Sequence, residues 1–124
     1  MTDEMVIVSK GWGYEKWIVN KPEYCGKLLF FHKGKRCSLH YHKLKDEMFY
    51  VQSGEVLLRW TDDRSICSNP APWPPLNEVV LFKGDSFHIP PGRVHQMIAY
   101  LDTELFEFST QHFDSDSYRI TKGD

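Results

Sequence analysis

The sequence predicts an all-β fold, a small single-domain jelly-roll β-barrel, on three observations. Short apolar and aromatic runs recur at close spacing, glycine or proline turns separate many of them, and no stretch shows helical periodicity. Several short strands in one small chain bury their apolar faces best as a barrel or sandwich. The 124 residues leave room for one core, so residues 1–124 form one domain. A hydrophobic content of 41% and an aromatic content of 15% allow burial to offset chain entropy.

From the N-terminus, Met5-Val6-Ile7-Val8 reads as an apolar strand with no hairpin partner evident. Residues 14–19 (YEKWIV) and 27–32 (KLLFFH) follow as strands rich in aromatic and β-branched side chains. Lys33-Gly34-Lys35 is a turn. Strands are expected at 36–42, 47–52 and 55–60, with Ser53-Gly54 joining the last two as a hairpin. Residues 61–77 contain four prolines and no periodicity, so they form a long loop. That loop either lies outside the barrel or, with Trp73 at its apex, covers the mouth. Further strands fit 78–82, 86–89, 94–100 and 104–109. Between two of them, Pro90-Pro91-Gly92 lacks two consecutive N–H donors and must bend rather than pair. The tail, 110–124, is polar and is expected to pack loosely through Tyr118 and Ile120.

Charge and composition narrow the function. A net charge of −2 supplies no basic field for nucleic acid, and no apolar run is long enough to span a bilayer. The N-terminal segment reads as no export signal. Three unclustered cysteines (Cys25, Cys37, Cys67) argue against a disulfide framework and suit a reducing cytoplasm.

The chemistry concentrates in Gly34–Gly54 and Gly84–His95. His40 and His42 lie two residues apart, so on a strand both imidazoles point the same way, with Cα atoms about 7 Å apart. Glu47, at the head of the next strand, can add a carboxylate, and the Pro-Pro-Gly bend delivers His95. Three imidazoles and one carboxylate make a site for one divalent transition metal: Fe, Mn, Co, Ni, Cu or Zn. Four protein ligands leave about two positions open on a six-coordinate ion, for substrate or O2. Strand parity puts Arg36 on the face of His40 and His42, and Cys37 on the opposite one. The same reasoning puts Phe49 with Glu47 and Met97 with His95, as apolar walls.

The spacing resembles the cupin superfamily. Gly34, five residues, His40, one, His42, four, Glu47, six, Gly54 is similar to the first cupin motif; Gly84, five, Pro90, one, Gly92, two, His95 is similar to the second, with Ala99 where an Asn usually stands. Finer features resemble the cupin domain of type II mannose-6-phosphate isomerases. These are Trp12-Gly13, Tyr24-Cys25-Gly26-Lys27, Ser38-Leu39 and Glu104-Leu105-Phe106-Glu107-Phe108. That family typically has Gln at the position of His40, Arg at Lys45 and His-Trp at Met48-Phe49. The resemblance implies a metal-dependent isomerase acting on a sugar or sugar phosphate, and matches Lys27 to the family's strand lysine. Lys27 and Arg36 are then candidates to bind phosphate or a developing oxyanion. No general base is identifiable. Two alternatives use the same site: an Fe(II)-dependent dioxygenase and a non-catalytic metal- or sugar-binding cupin. The unpaired N-terminal strand edge, and the habit of related cupins, imply a homodimer.

Overall fold

The computed structural model describes residues 3–68 and 72–124. Among the described residues, eleven strands are arranged in two antiparallel sheets. They are β1 (Val6–Lys10), β2 (Gly13–Lys21), β3 (Tyr24–Phe31), β4 (Leu39–Tyr41), β5 (Glu47–Ser53), β6 (Glu55–Thr61), β7 (Asn77–Phe82), β8 (Ser86–Ile89), β9 (Val94–Ala99), β10 (Thr103–Ser109) and β11 (Tyr118–Thr121). One sheet runs β1-β2-β3-β10-β5-β8, the other β11-β4-β9-β6-β7. Apart from the β1-β2-β3 meander and the β6–β7 pair, each connection crosses between sheets. The two sheets thus enclose one interior, the jelly-roll barrel expected from the sequence.

Alternation along the strands divides that interior into an apolar end and a polar end. On β3, Cys25, Lys27, Leu29 and Phe31 point inward; on β10, Thr103, Leu105 and Glu107 do. Pairing aligns Leu29, Leu105 and Val51 across three strands, and on the next inward row Lys27, Glu107 and Phe49. The first row joins Phe31, Val56, Leu58, Leu81 and Met97 in the main core. The second lines a cavity.

Several expectations need correction. β5 and β6 do not form a hairpin: β5 pairs with β10 and β8, β6 with β7 and β9. Gly54 turns the corner between sheets at φ 97°, with its Cα face against Thr103, where a side chain would collide. β1 does have a hairpin partner, β2, and pairs with no other strand among the described residues. Arg64–Cys67 is a short 3-10 turn capped by the Asp63 side chain. Around it, Trp73 and Leu76 pack with Ile66 on Leu39 and Val94, on the outer side of β4 and β9. The described part of 61–77 therefore lies outside the barrel; the expected loop's residues 69–71 lie outside the described residues. The tail is not loose. β11 pairs with β4, and the buried Asp116 carboxylate accepts from the backbone N–H groups of Lys43, Leu44 and Lys45 at 2.8–3.2 Å.

Candidate metal centre

Two short strands bring the histidines together. His40 on β4 and His95 on β9 are directly opposed across the sheet, and their ring centroids lie 4.4 Å apart. His42 follows on the same face, 5.1 Å from the His40 ring and 5.8 Å from that of His95. One ligand atom from each of the three lies within 4.8 Å of the others. Each ring is held from behind by a backbone carbonyl at Nδ1: Ser38 for His40 (2.8 Å), Asp116 for His42 (2.7 Å) and Arg93 for His95 (3.0 Å). A ring donating its Nδ1–H to a carbonyl keeps an unprotonated lone pair at Nε2, the tautomer a metal requires. Burial holds the rings neutral as well, pushing His40 down to about 4 and His42 to about 3. His95 is driven well below its ordinary value for the same reason.

Glu47 completes the arrangement. Its Oε2 stands 3.7 Å from Nε2 of His42 and 3.5 Å from Nε2 of His95, fully buried and without a hydrogen-bond partner. A buried carboxylate oxygen without a hydrogen-bond partner, facing two imidazole lone pairs, is unfavourable by itself. A divalent cation removes that conflict. The residues present fit such an ion: three neutral nitrogens, one carboxylate, and carbonyls fixing each ring.

Beside the centre lies a cavity of about 850 Å³, which carries an ionic network. Lys45 Nζ sits 3.1 Å from each of Glu47 Oε1, Glu107 Oε2 and His112 Nδ1, so its three protons match three acceptors. His112 Nε2 is 2.9 Å from Asp114 Oδ1. Burial alone would disfavour the Lys45 ammonium, but the two carboxylates outweigh it and raise its pKa. Burial raises the Glu107 carboxyl too, yet Lys45 and then Lys27 overcome it and hold Glu107 low. Glu47 goes the other way, up, because desolvation and the neighbouring Glu107 prevail over Lys45.

Lys27 is buried in the same cavity wall, its Nζ 4.3 Å above the Trp17 ring and 3.5 Å from Glu15 Oε1. Phe49, 6.1 Å from the His95 ring, and Met97 line the wall, as parity places them. Arg36 does not. It is exposed and bridges Ile98 outside the named strands. From Arg36 to His40 the chain advances four residues while the partner goes back only three, Ile98 to His95. That extra residue breaks the alternation. Arg36 is turned out, and Cys37 faces the cavity instead, its thiol pushed up to about 12 by burial.

Sequence reasoning missed Lys45, Glu107, His112 and Asp116. Glu107 carried a signal, a charge at an inward position of an alternating strand (Thr103, Leu105, Glu107). Lys45, His112 and Asp116 lie in irregular segments, where periodicity says nothing.

A family model of the cupin domain matches residues 28–106. No curated protein matches the chain. Among solved structures, the capsular polysaccharide assembling protein CapF from Staphylococcus aureus is similar with a TM-score of 0.77 at 19% identity, covering 95% of this chain and 33% of CapF. Oxalate decarboxylase from Bacillus subtilis is similar with a TM-score of 0.77 at 15% identity, over 94% of this chain and 30% of that one. That enzyme has Mn(II) centres. KdgF from Halomonas sp. is similar with a TM-score of 0.66 at 18% identity, covering 82% of this chain and 81% of KdgF. This chain thus spans about a third of CapF and of the decarboxylase. At these identities the likeness is one of fold. Among the described residues no helix is long and apolar enough to cross a membrane.

Proposed function

This chain belongs to the cupin-domain family, and from that premise we propose that it is a metal-dependent, isomerase-like enzyme acting on a sugar or sugar phosphate. His40, His42, Glu47 and His95 would hold one divalent ion. When bound, the ion supplies a Lewis acid for polarising a substrate carbonyl. The observation that carries the reading is the buried Lys45–Glu107 pair facing a cavity beside the histidines. An ion serving packing alone needs neither a cavity nor charged groups around it.

The chain's own residues divide the remaining work. Glu107, which lines the cavity, accepts at Oε2 from Lys45 (3.1 Å) and from Ser109 Oγ (3.0 Å), and its Oε1 has no hydrogen bond among the described residues. This oxygen takes the proton from the carbon next to the carbonyl and returns it to the former carbonyl carbon of the enediol, while the hydroxyl proton passes from the oxygen on the deprotonated carbon to the former carbonyl oxygen. The adjacent Lys45 ammonium keeps Glu107 ionised for that purpose. Lys45 also orients Glu47 through Oε1. Lys27 offers an ammonium whose contacts are one long hydrogen bond to Glu15 and the face of Trp17, so it can receive a phosphate or carboxylate oxygen. Phe49 and Met97 exclude water from the reacting carbons.

The test is a panel of sugar phosphates incubated without oxygen in D2O with Mn, Co or Zn, followed by proton NMR. Isomerisation with solvent deuterium at the exchanged carbon, abolished by chelation and reduced at least about 100-fold in Glu107→Gln, is expected. Turnover that requires Fe(II) and O2 would replace this reading with a dioxygenase. If His42→Ala loses the metal but every turnover persists, the site is not catalytic.

A further inference from the structure

Three cations that line the cavity take no part in the ionic network inside it. Lys10 ends β1, Arg119 lies on β11 and Lys122 follows that strand. Arg119 and Lys122 are exposed and Lys10 is half-buried, which puts them at the mouth. Register explains how the two tail residues come to share a face. Arg119 stands opposite His40 in the β11–β4 pair, so it points to the side of the metal centre, the two Cβ atoms about 5 Å apart. Residues three apart on a regular strand face opposite ways, but here the register shifts by one residue between Arg119 and Thr121. The extra residue turns Lys122 back to the cavity. Burial is the main cause of the low value of His40, and the charges of Lys45 and Arg119 add to it, which sets the guanidinium near that ring. Lys10 joins from the other sheet. The backbone of Asp124 packs against Gly11, too close for a side chain there, so the segment carrying Lys122 runs beside the end of β1.

Charge decides what this rim can hold. None of the three cations has an ion pair, a hydrogen bond or an aromatic ring as partner among the described residues. The two rim carboxylates are engaged elsewhere, Asp114 with His112 Nε2 and Asp124 with the N–H of Arg36. Inside the cavity the balance is reversed. Lys27 and Lys45 there face Glu15, Glu47 and Glu107, so the chain has no spare positive charge for a dianion, and a phosphate would lose its water as well. At the rim a phosphate keeps part of its hydration and meets a guanidinium, whose fork matches two of its oxygens.

We propose that Lys10, Arg119 and Lys122 form a phosphate subsite at the cavity mouth, which seats the phosphate end of a sugar phosphate while its carbonyl end reaches the histidines. The proposal rests on the reading of the cavity as a sugar site and narrows it: the substrate is phosphorylated, and Lys27 is left for a hydroxyl or carboxylate oxygen. Because Lys10 belongs to the six-stranded sheet and Arg119 to the other, the bound phosphate also bridges the two sheet edges.

Calorimetric titration with inorganic phosphate at pH 7.5 and low salt tests the subsite, on protein stripped of metal by chelation and then freed of chelator. Wild type is expected to bind one phosphate, more weakly as salt is added, because the rim is exposed. Arg119→Gln and Lys122→Gln should each weaken binding about tenfold, and the double variant should abolish it. Arg119→Lys should keep part of the affinity, and Lys83→Gln, a surface cation away from the cavity, should change nothing. Glucose 6-phosphate is expected to displace the phosphate and glucose is not. A wild type that binds no phosphate, a double variant that binds as wild type does, or a phosphate lost in Lys27→Met but kept in Arg119→Gln would overturn the proposal. So would displacement by glucose as readily as by glucose 6-phosphate. No turnover enters these titrations, so an enzyme that fails to isomerise any sugar leaves their outcome intact, and a rim that binds no phosphate leaves isomerisation to be judged in D2O.

Discussion

Lys45 carries the one ammonium in contact with both Glu47 and Glu107, and both carboxylates are buried. Replacing it by methionine keeps the volume but leaves two buried carboxylates without a cation. Such a loss costs about 3–5 kcal/mol. Urea denaturation of chelator-treated Lys45→Met is expected to show a fall of that size, and a loss below about 1 kcal/mol would contradict the geometry. The histidines were legible from spacing because strand parity is a local rule, and the chain keeps it from His40 on β4 to His42 just past the end of that strand. Lys45 was not legible. It follows the strand in an irregular segment, and its partner Glu107 is 62 residues away. Arg36 shows the opposite failure: the parity rule was applied across an extra residue that only the pairing with Ile98 and His95 reveals.

At the scale of elements, the tail is the part whose role the sequence hid most completely. Asp116 sits in a short turn of three residues, Asp114–Asp116, with no hydrophobic pattern to mark it. Yet its carboxylate gathers three backbone N–H groups of the segment leading to Glu47, and its carbonyl fixes His42. Removing the carboxylate leaves those N–H groups buried or half-buried without an acceptor. Asp116→Ala is expected to lose about 2–4 kcal/mol of stability and to weaken binding of a divalent ion about 10- to 100-fold. Thermal melting and calorimetric titration with Mn(II) measure the two effects, and unaltered binding would separate the tail from the site. Strand existence was readable from composition at nearly every element, β11 excepted. Partner choice was not. Ser53-Gly54 has the look of a hairpin turn, but the apolar rows it joins belong to different sheets, and a two-residue motif holds no information about that.

The whole molecule is a barrel with one end filled by leucine, valine and phenylalanine and the other left open around charge. β3, β5 and β10 each run from one end to the other, which is how Leu29, Val51 and Leu105 come to lie one inward position from Lys27, Phe49 and Glu107. The apolar end supplies the stability that offsets burying Lys27, His42, Lys45, Glu47, His95 and Glu107 at the other. An ion that binds the folded chain alone adds to that stability with the logarithm of its free concentration, about 2.7 kcal/mol at 100 times its dissociation constant. The central claim is that three imidazoles and the Glu47 carboxylate close around a single ion. Its most direct test is the metal content of chelator-stripped protein after reloading with Mn(II) and desalting. The account predicts one ion per wild-type chain and none in the His40→Ala/His42→Ala double variant. A folded wild type that retains no ion, or a double variant that retains as much as wild type, would contradict it.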